Sequence, residues 1–192
     1  MNRGSILSVT TTLVQIVRYM LIIGILAVGI FGLYGVLFPA RIAPVLENTT
    51  LELCDLGLSV SVPLQALGSQ EARQYFGLIT AMGLAAMALG YVVVTRLTGI
   101  LRTAAEGTPF VTENAVRVRA IGFATLGWAG LKILSQASFG TLLASHLTWP
   151  GVDLNVKVDF AAETIVFGLL MLVLAEVFRY GVALQQEHDL TV

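Results

Sequence analysis

The sequence predicts an all-α membrane protein with four transmembrane helices, both termini cytoplasmic, and a small extracytoplasmic antiparallel β-sheet cap formed by the two outer loops. Four stretches are long, apolar and nearly free of charge, and about 20 helical residues suffice to cross a hydrocarbon layer of about 30 Å. Hydrophobic residues make up 56% of the 192 residues and charged residues only 12%, which is too little polar surface for a soluble domain. We therefore expect residues 1–192 to form a single four-helix transmembrane domain.

The first two predicted helices contain the charge-free runs 19–40 and 74–95, and the last two carry ionisable residues inside them. Arg3 and Arg18 precede the first run as in a signal peptide, but the run is too long and has no clean small-x-small cleavage site, so we expect a retained helix. The predicted helices span residues 13–38, 74–105, 113–145 and 160–184, and the predicted outer loops span residues 39–73 and 146–159.

Basic residues divide unevenly between the two sides of the predicted helices. The positive-inside rule places the richer side in the cytoplasm, together with both termini, and leaves Cys54 outside. The richer side holds Arg3, Arg18, Arg96, Arg102, Arg117, Arg119 and Arg179, and the poorer side holds Arg41, Arg73 and Lys157.

Both outer loops alternate apolar with other residues, over 49–53, 58–62 and 152–159. A period of two is typical of half-buried strands, so we predict a hairpin in the first loop that pairs with one strand from the second. This sheet is either a platform for sensing a ligand or docking a partner, or a lid that ties the two helical hairpins together.

The inner loop between the second and third helices is the most patterned stretch of the chain. Gly107 is placed to end the second helix in a left-handed conformation. Thr112 lies where an N-cap is expected, with Glu113 in the first turn. Arg117 and Arg119 on the next turn either set topology and contact phospholipid headgroups or form a docking surface for a cytoplasmic protein.

Four segments, residues 107–114, 117–122, 175–181 and 187–192, read GTPFVTEN, RVRAIG, AEVFRYG and EHDLTV. In these motifs the chain resembles the YoaS-like family of bacterial membrane proteins with a domain of unknown function. The resemblance implies a multi-pass protein of the bacterial cytoplasmic (inner) membrane and no known catalytic residue. Some members are encoded beside a small helix-turn-helix regulator, which hints at a regulatory partnership.

Charged residues inside the predicted membrane segments are costly, by about 2.5–3.5 kcal/mol even on the lenient insertion scale. We expect Lys132 to be satisfied by Glu163 or Asp159 in the outer half of the helices; a proton or cation path is the functional alternative. Glu176 and Arg179 are three residues apart, which suits an intrahelical pair or coordination of the tail.

The sequence contains few patterns typical of catalytic or metal-binding sites. Cys54 is the only cysteine and has no imidazole placed against it, while His146 and His188 are predicted on opposite sides of the membrane. We expect no enzyme activity, catalytic residue, metal or cofactor. A net charge of −1 gives no reason to expect direct contact with nucleic acid.

We therefore expect a regulatory or interaction protein that docks a cytoplasmic partner such as a helix-turn-helix regulator. The alternatives are a small transporter or channel subunit acting as an oligomer, and an accessory subunit of a larger membrane complex. Membrane lipid is an expected partner, and small residues on the helices allow packing within one chain or in a homo-oligomer. The predicted docking face comprises Pro109, Phe110, Glu113, Asn114, Arg117, Arg119, Glu176 and Arg179.

Overall fold

The computed structural model of the protein describes residues 3–38, 41, 69–146 and 160–189. Four α-helices account for nearly all of them. They are α1 (Arg3–Leu37), α2 (Ser69–Ala105), α3 (Thr112–His146) and α4 (Ala162–Asp189).

Threonine hydroxyls within the apolar helices are satisfied by the helices themselves. Thr80 donates to the carbonyl of Phe76 at 2.6 Å and Thr95 to that of Tyr91 at 2.7 Å, each four residues earlier. Such bonds meet the requirement that polar groups in hydrocarbon find partners internally. The hydroxyls are therefore compatible with a membrane-spanning α2.

Three of the four helices, not four, are long and apolar enough to cross a membrane. The exception is α3, which carries Arg117, Arg119, Lys132 and Gln136 between small residues of low hydrophobicity. Length and composition therefore support three of the four predicted spans, and the span in α3 stays a prediction. The candidate spans are Thr10–Leu37, Arg73–Ala105 and Ala162–Gln186.

The predicted β-sheet cap is wrong. The part of the chain that the structure describes contains helices and no strand, so its fold class is all-α without a sheet. The segments assigned to the sheet, 49–62 and 152–159, lie outside the described residues. Alternation of apolar and polar residues is a weak predictor of strands in a chain with 56% hydrophobic residues, because short alternating runs then arise by chance.

Two compact units are present. The first contains Met1–Gly24, Met87–Ala129 and Ala162–Val192. Within it, α3 packs on α4 through glycines: a Cβ at Gly122 would lie 3.1 Å from the Gly168 carbonyl oxygen, and a Cβ at Gly168 would lie 3.3 Å from that of Gly122. This close approach of two backbones is the packing that small residues permit in a membrane.

The second unit contains Ile25–Ala86 and Gly130–Ala161. Here α1 meets α2 where Gly32 faces Thr80, and a Cβ at Gly32 would lie 2.6 Å from the Thr80 Cβ. Gly29, one turn earlier, has no neighbour within 4 Å of such a Cβ. Of these two glycines, only Gly32 lies in close contact with α2.

Large apolar side chains are widely exposed along α1 and α4. Ile30 is 71% exposed, Met20 67% and Val173 63%. A helix with so much exposed hydrocarbon needs an apolar solvent. Together with the three candidate spans, this exposure is that of a membrane protein.

Candidate functional site

The end of α2 is closed by a Schellman-type cap. Gly107 adopts φ +79°, its amide donates to the carbonyl of Ala104 at 3.2 Å, and the amide of Thr108 donates to that of Thr103 at 3.0 Å. Glycine reaches this left-handed conformation without the Cβ clash of other residues. The prediction that Gly107 ends the second helix is confirmed.

Asn114, in the first turn of α3, is completely buried and lies at the centre of a polar network. Its amide nitrogen donates to the Thr103 hydroxyl at 2.7 Å and to the Pro109 carbonyl at 2.8 Å. Its side-chain oxygen accepts from the Arg117 guanidinium at 2.7 Å. One side chain therefore joins the end of α2, the loop and the start of α3.

Arg117 extends this network back to α2. The same Nη1 that donates to Asn114 also donates to the carbonyl of Gly99 at 3.0 Å. A Cβ at Gly99 would lie 2.7 Å from Arg117 Nε and 2.9 Å from Cζ, so the guanidinium occupies the space that a side chain would need. We call Gly99, Thr103, Pro109, Asn114 and Arg117 the loop network.

Phe110 connects the loop to α4. Its ring centroid lies 5.7 Å from that of Phe178, and a Cβ at Gly181 would lie 3.2 Å from its Cδ1. Phe110 is nevertheless 50% exposed. The Phe110 ring therefore contacts α4 on one side and is exposed on the other.

The eight residues of the predicted docking face fall into two groups. Asn114 is inside and Arg117 is half-buried in the loop network, so the predicted surface role of Asn114 does not agree with its full burial. The remaining six are exposed at the same end of the first unit: Pro109, Phe110, Glu113, Arg119, Glu176 and Arg179.

Charged members of this exposed group contact one another or aromatic rings. Arg179 donates to the Glu176 carboxylate, three residues earlier on α4, as predicted for an intrahelical pair. Its Cζ lies 5.5 Å from the ring centroid of Tyr180, and the Cζ of Arg119 lies 5.6 Å from that of Phe123. Cation–π contacts of this kind hold arginine side chains along the surface.

The predicted intramembrane pair stays a prediction. Lys132 is half-buried in α3, and Glu163 is exposed in the first turn of α4. They belong to different units, and Asp159 lies outside the described residues.

No cluster of three or more His, Cys, Asp or Glu suited to a metal ion occurs within the described ranges. Cys54 lies outside those ranges. The structure thus assigns no metal-binding role to the residues that it describes.

Sequence reasoning missed the pair formed by Arg18 and Tyr91. Because α1 begins at Arg3, Arg18 lies within the candidate span Thr10–Leu37 and not at its flank. An Arg18 Nη2 donates to the Tyr91 hydroxyl at 3.3 Å, and the Arg18 Cζ lies 5.7 Å from the ring centroid. The signal was present in the polar but uncharged residues before Arg18, which allow the helix to start early.

A cavity of about 310 Å³ also lies within the first unit. Its walls come from all four helices and include Leu21 of α1, Gly90 of α2, Trp128 of α3 and Thr164 of α4. Most of the lining side chains are aliphatic. The cavity suits hydrocarbon better than a polar solute.

Comparison with known proteins identifies a family for this chain but does not indicate an activity. No curated protein and no solved structure matches the chain. A family model described as a protein of unknown function (DUF2975) matches residues 60–192, which include α2, α3, α4 and the loop network but not α1. The chain therefore belongs to the DUF2975 family of proteins of unknown function.

Proposed function

We propose that this protein is a membrane-embedded regulatory protein that holds a soluble partner on its cytoplasmic side. The proposed docking face is the six exposed residues beside the loop network: Pro109, Phe110, Glu113, Arg119, Glu176 and Arg179. The proposal places the protein in a bacterial inner membrane within the YoaS-like group and involves no catalysis. A small helix-turn-helix regulator is the proposed partner.

The observation that carries the proposal is the complete burial of Asn114 beneath an exposed loop. Membrane insertion does not require a buried polar network at a loop, and such a network is costly unless every member is satisfied. It limits the conformations of the loop that bears Phe110 and Glu113. A loop ordered in advance loses less conformational entropy on binding, which favours affinity for a partner.

The chemistry of the exposed face supports a protein as partner. It combines arginines (Arg119, Arg179) with carboxylates (Glu113, Glu176) and a half-exposed aromatic ring, Phe110. Carboxylates repel anionic headgroups and nucleic acid, whereas a protein surface can complement both signs. Aromatic residues and arginine are also the side chains most enriched among binding hot spots.

Site-specific photo-crosslinking in intact cells tests the proposal. A photoreactive phenylalanine analogue at Phe110 is expected to crosslink a helix-turn-helix regulator, which mass spectrometry identifies. The matched control places the analogue at Phe31, which is 56% exposed but lies in the other unit. Crosslinks from position 110 only to lipid, to a second copy or to a transport complex reject the proposal.

Charge reversal is a second test of the proposed docking face. Arg119→Glu is expected to weaken the crosslink from position 110, because a rim charge that complements the partner accelerates association. Arg96→Glu reverses another exposed arginine that lies on α2, outside the proposed face, and is expected to leave the crosslink unchanged. Equal effects of the two reversals would assign the arginines to topology alone.

A further inference from the structure

We propose that the first unit binds one anionic phospholipid, with its phosphate on Arg18 and an acyl chain in the cavity of about 310 Å³. This inference is independent of partner docking, because it uses different residues. It also requires α1, which lies outside the segment matched by the family model.

The cavity provides the apolar half of the site. Leu21, Gly90 and Ala124 contribute small or aliphatic walls, and Trp128 contributes an indole that is 45% exposed. Thr125 also lines the cavity, but its hydroxyl donates to the Ile121 carbonyl at 2.9 Å and is already satisfied. The volume is at the lower end of the range of about 300–1,000 Å³ for ligand sites, which suits a slender chain.

Arg18 provides the charged half. Its guanidinium lies within a candidate membrane span, and its Nε is buried without a hydrogen-bond partner among the described residues. The neighbouring Tyr91 supplies a hydroxyl and a ring face but no negative charge. An arginine in this environment calls for an anion, and the planar guanidinium suits a phosphate.

The charged half and the apolar half of the proposed site are adjacent on both α1 and α2. Arg18 is three residues before cavity-lining Leu21 on α1, and Tyr91 is three residues before cavity-lining Val94 on α2. Residues three apart share a helix face and are separated by about 4.5 Å along the axis. A phospholipid joins an anionic group to hydrocarbon over a comparable short distance, and the bilayer itself supplies it.

Fluorescence quenching tests the site. Trp149→Phe leaves Trp128 as the single tryptophan of the full chain, because the sequence has two. The purified protein in detergent is titrated with phosphatidylglycerol brominated on its acyl chains, and with phosphatidylcholine carrying the same chains. We expect saturable quenching by both, half-maximal at about tenfold lower mole fraction of the anionic lipid, which corresponds to about 1.4 kcal/mol.

Two variants separate the charged half from the apolar half. Arg18→Gln is expected to abolish the preference for the anionic lipid, whereas Arg96→Gln, which removes an exposed arginine elsewhere on α2, keeps it. Gly90→Leu fills the cavity, where an added Cβ meets only Leu21 Cδ2 at 3.9 Å, and is expected to remove saturable quenching. Gly29→Leu adds the same side chain in open space and is expected to keep it.

Circular dichroism and monodisperse elution show that each variant is folded, so loss of binding is separable from loss of structure. Equal quenching by the two lipids in the parent protein overturns the proposal, as does full preference in Arg18→Gln. A brominated fatty acid that saturates at the same mole fraction as phosphatidylglycerol overturns the phospholipid assignment. A failure of partner crosslinking leaves these outcomes unaffected, because the two experiments probe different residues.

Discussion

Replacing Asn114 by leucine removes the centre of the loop network while keeping the number and branching of the side-chain heavy atoms. The substitution deletes the bonds to Thr103, Pro109 and Arg117, at 2.7, 2.8 and 2.7 Å. It also leaves the Pro109 carbonyl without the amide that it accepts from. Because Asn114 is 0% exposed, water cannot readily replace the lost partners.

The cost follows from the kinds of bond lost. Each neutral bond contributes about 0.5–1.5 kcal/mol, and the bond to the guanidinium about 1.5–3 kcal/mol. We therefore expect Asn114→Leu to lower the free energy of unfolding by about 2.5–6 kcal/mol. A loss of 1 kcal/mol lowers Tm by about 2–4 °C in chains of 150–250 residues, so the expected decrease is about 10 °C.

Thermal unfolding in a mild detergent, followed by circular dichroism and by the fraction that elutes as a folded species, measures this change. Glu113→Gln is the matched control, because it alters the adjacent exposed residue and is expected to change the free energy of unfolding by less than about 0.5 kcal/mol. If Asn114→Leu is as stable as this control, the network does not hold the loop, and the proposed ordering of the docking face is refuted.

Three further predictions concern helix packing, the loop network and a predicted ion pair. Gly32→Ala is expected to destabilise the protein by about 1–3 kcal/mol through overpacking, while Gly29→Ala on the same helix is neutral or stabilising because alanine favours helix; both are measured by unfolding in detergent. Gly99→Ala is expected to displace the guanidinium of the loop network and cost about 1–3 kcal/mol in the same assay, and unchanged stability would contradict the observed contact. Lys132→Met and Glu163→Gln are expected to be coupled by at least about 0.5 kcal/mol in a double-mutant cycle, and strictly additive losses would show that the pair does not interact.

The helices were predictable because apolar length is a property of the local sequence. The observed helices are longer than the predicted ones at several ends: for example, α1 starts at Arg3 and α4 continues to Asp189. Polar residues with good helix propensity extend a helix beyond its apolar segment. The cap at Gly107 was predictable for the same reason, because a left-handed turn is encoded within a few residues.

Burial of polar side chains was not predictable from the sequence. Asn114 follows the exposed Glu113 in the first turn of α3, and its partner Thr103 becomes a neighbour only when α2 and α3 fold back on each other. The same holds for Arg117 and the Gly99 carbonyl. Arg18 likewise meets Tyr91 across 73 residues of sequence. Such contacts depend on tertiary packing, to which local hydropathy is insensitive.

Asn114 and Arg18, both in the first unit, differ in how far their polar atoms are satisfied. Both side-chain ends of Asn114 have partners, and its Nδ2 bonds link the end of α2 to the loop, so this side chain is satisfied within the chain. Arg18 instead combines a positive charge with a buried Nε that lacks a partner among the described residues. Since unsatisfied buried donors are rare in folded proteins, their position is informative. A satisfied buried side chain such as Asn114 orders the loop around it, whereas an unsatisfied donor on a charged group beside a cavity marks a candidate ligand site. We therefore propose partner docking at the exposed face beside the loop network, and lipid binding at the cavity beside Arg18.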